Sequence, residues 1–287
     1  MSDPNATWTT LVSAEDLAAA LGREDLAIFD TRHSLAEPEA GEASYDAAHV
    51  PGAFYAHLDR ELSDHRKAHA GRHPWPELQD FAAALGRWGV TPQTQVVVYD
   101  AADGALAAAR MWFLLRALGH RRVAVLDGGL QRWQTLGLPV DANRPVAKPA
   151  PPYPATFDEN RLLDAAQVQA HLDAGGVLVD ARAAERFRGD VEPIDRVAGH
   201  VPGAINRPYA MTMRDGRFRP AQELAREFAD VLKGRDPRDV VAMCGSGVTA
   251  CHLLLALEHA GLEGARLFTG SWSGWIDDPS RPVARGS

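Results

Sequence analysis

Cysteine is scarce in this chain: Cys244 and Cys251 are the two among 287 residues. So low a number excludes a secreted disulfide framework, and no Cys-x-x-Cys pair occurs. The two stand on a loop and the helix that follows it, poor geometry for a bond between them. Basic excess is lacking as well, with 30 Lys and Arg against 38 Asp and Glu, a net charge of −8 and a pI near 5.8. That balance disfavours nucleic acid or an acidic membrane as main partner, so an anionic ligand must be held by local basic side chains. No apolar run is long enough to span a bilayer. The opening stretch from Met1 to Trp8 has no basic region followed by an apolar run, so no secretory leader is expected. The histidines lack ligand-like spacing with cysteines or carboxylates, and neither a metal nor another cofactor is expected. A reducing cytoplasm suits such a chain best.

What the sequence does contain is a long internal repeat. Leu26-Ala-Ile-Phe-Asp30-Thr-Arg32 is echoed by Val177-Leu-Val-Asp180-Ala-Arg182, and His49-Val-Pro-Gly-Ala53 by His200-Val-Pro-Gly-Ala204. Val96-Val-Val-Tyr99-Asp100 matches Val240-Val-Ala-Met243-Cys244, and Leu126-Asp-Gly128-Gly129 with Trp133 matches Phe268-Thr-Gly270-Ser271 with Trp275. Each copy is large enough to be a domain with its own core. Short, unbroken apolar strands alternate with helical patterns such as Ala107 to Leu118 and Cys251 to Ala260, which predicts α/β domains with mainly parallel sheets flanked by helices. The stretch 143–154 holds five prolines and almost no periodicity and reads as a linker between a domain at 10–142 and another at 155–285. The polar run from Asp59 to His73 reads as a solvated loop or a segment that closes over a site.

The chemistry is concentrated in one strand–loop–helix passage, Val240 to Leu257. Cys244 opens the loop, and Gly245 and Gly247 can take backbone angles that a β-carbon forbids. Such a loop turns the amides of Gly245, Gly247, Val248 and Thr249 inward as an anion cradle at the start of a helix, which favours the ionised sulfur. On an open parallel sheet, ligands bind beyond the carboxyl ends of the strands, where this loop stands. In the first copy Asp100 takes the cysteine's place, and a carboxylate offers no thiol nucleophile, so that copy is expected to be catalytically silent. Cys251, inside a helix, reads as an inert core thiol. His49, His200, Asp30, Arg32, Asp180 and Arg182 recur in both copies, the silent one included, and therefore read as structural.

The paired Asp-x-Arg and His-Val-Pro-Gly-Ala signatures, with a cysteine loop in the second copy alone, resemble the tandem-domain rhodanese-type sulfurtransferases over nearly the whole chain. The loop Cys244-Gly-Ser-Gly-Val-Thr249 resembles the 3-mercaptopyruvate branch of that family. Thiosulfate-using relatives usually carry Arg and Lys where this chain has Gly245 and Ser246. The resemblance implies two rhodanese-like domains and transfer of sulfur from a small anionic donor, through a persulfide on Cys244, to an acceptor such as thioredoxin, a low-molecular-weight thiol or cyanide. It also implies that Arg186 binds the donor's carboxylate, for which a guanidinium offers a bidentate match. Arg196 is a second candidate, with equal weight on a surface role, whereas Arg188 reads as a surface charge. Ser246 is placed with an aspartate and a histidine from the first copy, although capping the following helix is a comparable reading. Asp59 fits the aspartate by its distance from His49; His69 and His73 both fit the histidine, with His73 preferred.

Three alternatives bear on this reading. A thiosulfate:cyanide sulfurtransferase would use the same nucleophile. Phosphatases and arsenate reductases also put a cysteine after a strand, but they close the loop with an arginine where this chain has Ala250. A non-catalytic persulfide-carrying or regulatory module is the remotest, since Cys244 keeps its glycine-serine loop.

Overall fold

The computed structural model describes residues 6–102, 104–105 and 107–287; the first five residues, on which the absence of a leader partly rests, lie outside them. The chain divides into two compact units. The first comprises the residues up to Ser63, then Pro76–Phe157 and Asp215–Phe218. It runs β1 (Leu11–Val12), α1 (Ala14–Ala20), β2 (Leu26–Asp30), α2 (Ala40–Ala47), β3 (Ala53–Tyr55), α3 (Leu78–Arg87), β4 (Gln95–Tyr99), α4 (Ala107–Ala117), β5 (Val123–Leu126) and α5 (Gly129–Thr135). The second comprises Asp64–Trp75, Asp158–Arg214 and Arg219–Ser287. It runs β6 (Leu162–Leu163), α6 (Ala165–Asp173), β7 (Val177–Asp180), α7 (Ala184–Arg188), β8 (Ile205–Asn206) and β9 (Met213–Arg214), and, after β10 (Arg217–Phe218) of the first unit, α8 (Ala221–Leu232), β11 (Val240–Met243), α9 (Thr249–His259), β12 (Arg266–Phe268) and α10 (Ser271–Trp275).

Each unit is built on a five-stranded parallel sheet, ordered β1-β5-β4-β2-β3 and β6-β12-β11-β7-β8. The two orders are the same once repeat partners are matched. β4 and β11 are wholly buried, which explains why both read as unbroken β-branched runs rather than alternating ones. Trp133 and Trp275 close corresponding core clusters and donate their indole N–H to Pro139 O and Pro282 O. Helix starts follow local chemistry: Ser13 caps α1 by accepting the Asp16 N–H, and Asp164 with Gln167 forms a capping box on α6.

The recurrent histidines are structural in both units. His49 and His200 sit in paired β-bridges to Asp141 and Ala284. Their Nδ1 atoms bond the carbonyls of Tyr45 and Phe187, on whose rings they stack at 4.1 and 3.7 Å. Asp30 and Asp180 are fully buried, and each holds its arginine two residues on, Arg32 or Arg182.

Two segments differ from the sequence expectation. The Pro-rich stretch 143–154 packs along α3 as part of the first unit, which extends to Phe157. Ala150 N–H donates to Gly86 O, Tyr153 N–H to Ala82 O, and the buried Tyr153 hydroxyl bonds His120 Nδ1. An extended proline-rich chain leaves backbone groups free to dock on a neighbour. The polar stretch after Asp59 divides as well: Asp64–Trp75 belongs to the second unit. It closes on itself through Asp64 N–H to Pro74 O and Lys67 Nζ to Trp75 O, with Asp64 and His73 buried. Among the described residues no helix is long and apolar enough to cross a membrane.

Candidate active site

The loop between β11 and α9 has Cys244 at its start, buried to 3% exposure. Gly247 takes φ +77°, an angle that a β-carbon disfavours, whereas Gly245, from which the same freedom was expected, does not take a positive φ. The N–H groups of Gly245, Ser246 and Val248 have no acceptor among the described residues, so they remain available to an anion held at the sulfur. Cys251 is fully buried one turn into α9, with its Sγ hydrogen-bonded to Gly247 O at 3.3 Å. Both cysteines are free thiols.

The start of α10 clamps this loop from one side. Cys244 N–H donates to Ser271 Oγ at 3.1 Å, Trp272 N–H to Cys244 O at 3.0 Å, and Ser273 N–H to Gly245 O at 2.9 Å. The first unit makes the same pair of backbone bonds, from Leu130 to Asp100 O and from Gln131 to Ala101 O. There the residue matching Ser271 is Gly129, at φ +54°; Ser271 itself adopts φ +50°. A non-glycine residue in that region costs about 1 kcal/mol or more. The serine offsets this with a hydroxyl that takes the cysteine's N–H and donates to Phe268 O.

His73 Nδ1 lies 2.8 Å from Ser246 Oγ, with both side chains buried. His69 is exposed and in a left-handed turn, and none of its described contacts is with the loop. His73 is held there because Asp64–Trp75 docks on α10: Arg72 N–H donates to Ser273 Oγ, and a Cβ on Gly71 would lie 2.6 Å from Gly270 O. Asp59 belongs to the first unit, where its N–H donates to His57 Nδ1 at 3.0 Å.

Two arginines flank Gly245. A Cβ at that position would lie 3.1 Å from Arg72 Nη2 and 3.7 and 3.8 Å from Arg186 Nη2 and Nη1. Arg186 projects from α7, which Gly189 ends in a left-handed cap at φ +78°. Its Nε and Nη2 bond Glu192 at 3.2 and 2.7 Å, and Nη2 also reaches Asp195 at 3.2 Å. Burial pushes the Glu192 carboxyl up, but the Arg186 hydrogen bond and the N–H groups of Asp195 and Ile194 outweigh it, leaving the pKa below the usual carboxylate value. The bidentate edge expected of Arg186 for a ligand is thus occupied by Glu192. Arg196, the second candidate, directs its guanidinium to Ile276 O and Asp277; none of its described contacts is with the cysteine loop. Arg188 is a surface charge paired with Asp190. Sequence reasoning did not single out Arg72, Glu192, Asp195 or Ser271. The one available signal was Arg72 standing directly before His73.

For a metal, the described residues offer one group, His33, His57 and Asp59, with ligand atoms within 4.8 Å of one another. His57 Nδ1 already accepts the Asp59 N–H, so a neutral His57 carries its proton on Nε2 and has no lone pair left for a cation. The group fits a metal poorly.

A rhodanese-like domain model matches residues 13–136 and again 164–278. A Pseudomonas aeruginosa protein named "probable 3-mercaptopyruvate sulfurtransferase" is 47% identical over 280 residues, covering 96% of this chain and 98% of its own. A Mycobacterium tuberculosis protein named for thiosulfate sulfurtransferase activity is 41% identical over 290 residues, covering 98% of this chain and 99% of its own. Among solved structures, the 3-mercaptopyruvate sulfurtransferase of Leishmania major superposes with a TM-score of 0.81 at 30% identity, over 96% of this chain and 77% of that one.

Proposed function

The chain belongs to the rhodanese-like family and is a sulfurtransferase, and on that premise we propose that it takes sulfur from 3-mercaptopyruvate onto Cys244 and passes it to a thiol or to cyanide. In the first half-reaction the Cys244 thiolate attacks the donor's sulfur. The S–S bond forms as the C–S bond breaks, and the electron pair of that bond leaves as the enolate of pyruvate. The enolate takes up a proton, and the enzyme holds a persulfide. In the second half-reaction the acceptor's thiolate, or cyanide, attacks the outer sulfur and the Cys244 thiolate departs, restoring the enzyme. The N–H groups of the loop would hold the persulfide anion.

The observation that carries the donor assignment is the 2.8 Å hydrogen bond between Ser246 Oγ and His73 Nδ1, two residues past the nucleophile. An enolate leaving group needs a proton at its carbon or oxygen, and a hydroxyl backed by an imidazole can deliver one. Sulfite, which leaves thiosulfate, carries its own negative charge and needs none. The first copy, with Asp100 at the cysteine's position, carries no sulfur in this scheme. Two free thiols in the chain favour a reducing compartment, the cytoplasm, and thiol acceptors of the thioredoxin or low-molecular-weight kind.

The test is Cys244→Ser with intact-protein mass measurement. Wild type incubated with mercaptopyruvate should gain one sulfur atom, on Cys244, while the variant gains none and does not turn over. Sulfur transfer by a folded Cys244→Ser protein would refute the assignment.

A further inference from the structure

The two guanidinium groups beside Gly245 are not equivalent. A planar anion is gripped side-on by the Nε–Nη2 edge of an arginine. In Arg186 that edge is taken by the two oxygens of Glu192, whose side chain is 3% exposed. Arg72 is pinned through its other corner, with Nη1 to Asp195 Oδ1 at 2.6 Å. Its Nε is buried without an acceptor, and its Nη2 bonds no described residue while facing the α-carbon of Gly245. The Nε–Nη2 edge therefore has no protein acceptor beside the residue after the nucleophile, and an unpaired buried donor of this kind costs stability unless a ligand meets it.

Position is fixed as firmly as orientation. Ser273 accepts the Arg72 N–H on its hydroxyl and donates its own N–H to Gly245 O. One residue of α10 therefore sets both the arginine's backbone and the residue following Cys244. The Asp195 side chain, 4% exposed, touches both arginines with different oxygens, which holds two like charges together without a ligand.

We propose that Arg72 is a donor-binding residue, whose unpaired Nε–Nη2 edge grips the anionic oxygens of the sulfur donor while Asp195 positions it. The chemistry recognised is a small oxyanion next to the transferable sulfur, met by the carboxylate of mercaptopyruvate or the sulfonate-like end of thiosulfate. The proposal rests on Cys244 being the nucleophile.

The test compares wild type, Arg72→Ala and Arg72→Lys in steady-state assays with each donor, and also in alkylation of Cys244 by iodoacetate and by uncharged iodoacetamide. Loss of a charge-assisted grip corresponds to about 10-fold to 100-fold in KM, with kcat within about threefold. Lysine, which lacks the fork, should restore little, whereas added guanidinium should partly rescue Arg72→Ala. The iodoacetate-to-iodoacetamide rate ratio should fall about tenfold in the alanine variant, since only the carboxylate reagent uses the fork. KM shifting with one donor alone identifies that donor as the oxyanion served. A kcat loss at constant KM would overturn the proposal by making Arg72 a support of the loop, and an unchanged KM and rate ratio would overturn it outright. Should wild type use neither donor, the sulfur-transfer reading fails, while the alkylation ratio still decides the anion grip. If the alanine variant does not fold, Arg72→Gln keeps the stem packed and the same comparisons apply.

Discussion

Ser246→Ala separates donors that need a proton from donors that do not. The substitution removes one hydroxyl and leaves His73 Nδ1, in a side chain 4% exposed, without the partner it has at 2.8 Å. An unsatisfied buried nitrogen costs about 1–3 kcal/mol of stability, so the variant should fold with a modestly lowered Tm. Its kinetic effect should be larger and selective. A positioned proton donor contributes about 100-fold to 10,000-fold, and with mercaptopyruvate that loss should fall on kcat, because the hydroxyl acts as the enolate leaves. With thiosulfate the departing sulfite needs no proton, and kcat should stay within about threefold. Ser246→Thr, which keeps the hydroxyl, should recover much of the mercaptopyruvate activity. The assay follows pyruvate release and sulfite release from the same preparations, with thermal unfolding as a check. Equal losses with both donors would show that Ser246 serves the loop and not the leaving group, and would remove the argument for mercaptopyruvate.

Other consequences are as specific. Because Ser271 holds φ +50° where the first unit has a glycine at φ +54°, Ser271→Gly should be about 1 kcal/mol more stable than Ser271→Ala; both should lose activity, since both lose the hydroxyl that takes the Cys244 N–H, and a less stable glycine variant would refute the strain. Glu192 has a folded-state pKa below its usual value, so its stabilisation is complete above about pH 4.5 and is lost as pH falls through the depressed value. Glu192→Gln should therefore be less stable than wild type by about 1.5–3 kcal/mol at pH 7, with the deficit shrinking in urea titrations run below pH 4.5; a deficit that grew in acid would reverse the sign. Cys251, whose Sγ is tied to Gly247 O inside α9, should resist alkylation under conditions that modify Cys244, which opens a loop whose Gly245, Ser246 and Val248 amides have no acceptor among the described residues, as read by peptide mapping.

Parallel sheets, the core tryptophans and the bridging histidines were legible because each is a local pattern written twice. A motif kept in a copy that lacks the loop cysteine is expected to serve the fold, and His49 and His200 stack and bond alike in both units. Ion pairing was not legible in the same way. Arg186 and Arg196 were chosen by motif position, but which edge of a guanidinium is free depends on carboxylates that arrive through loop geometry: Glu192 for one, Asp277 for the other. Arg72 stayed hidden because it lies in a polar stretch of the first copy that folds with the second unit. No periodicity announces that exchange. What marks it in hindsight is Gly71, whose missing side chain allows the close approach to Gly270.

The two copies also differ in how the amides of the matching loops are met. In the first unit, Asp100 Oδ1 accepts the N–H groups of Ala102 and Gly104 at 3.2 and 2.9 Å. Those two amides are met by the protein's own carboxylate, on the residue that matches Cys244. In the second unit the corresponding side chain is a thiol, and the N–H groups of Gly245, Ser246 and Val248 are left without acceptors. The aspartate oxygen meets amides of its own loop from within, whereas the thiol leaves those of the second loop to an acceptor from outside it. Duplication has thus given one loop whose amides meet the protein's own carboxylate and one whose amides are left for another acceptor, the difference expected if the proposed transfer runs through Cys244.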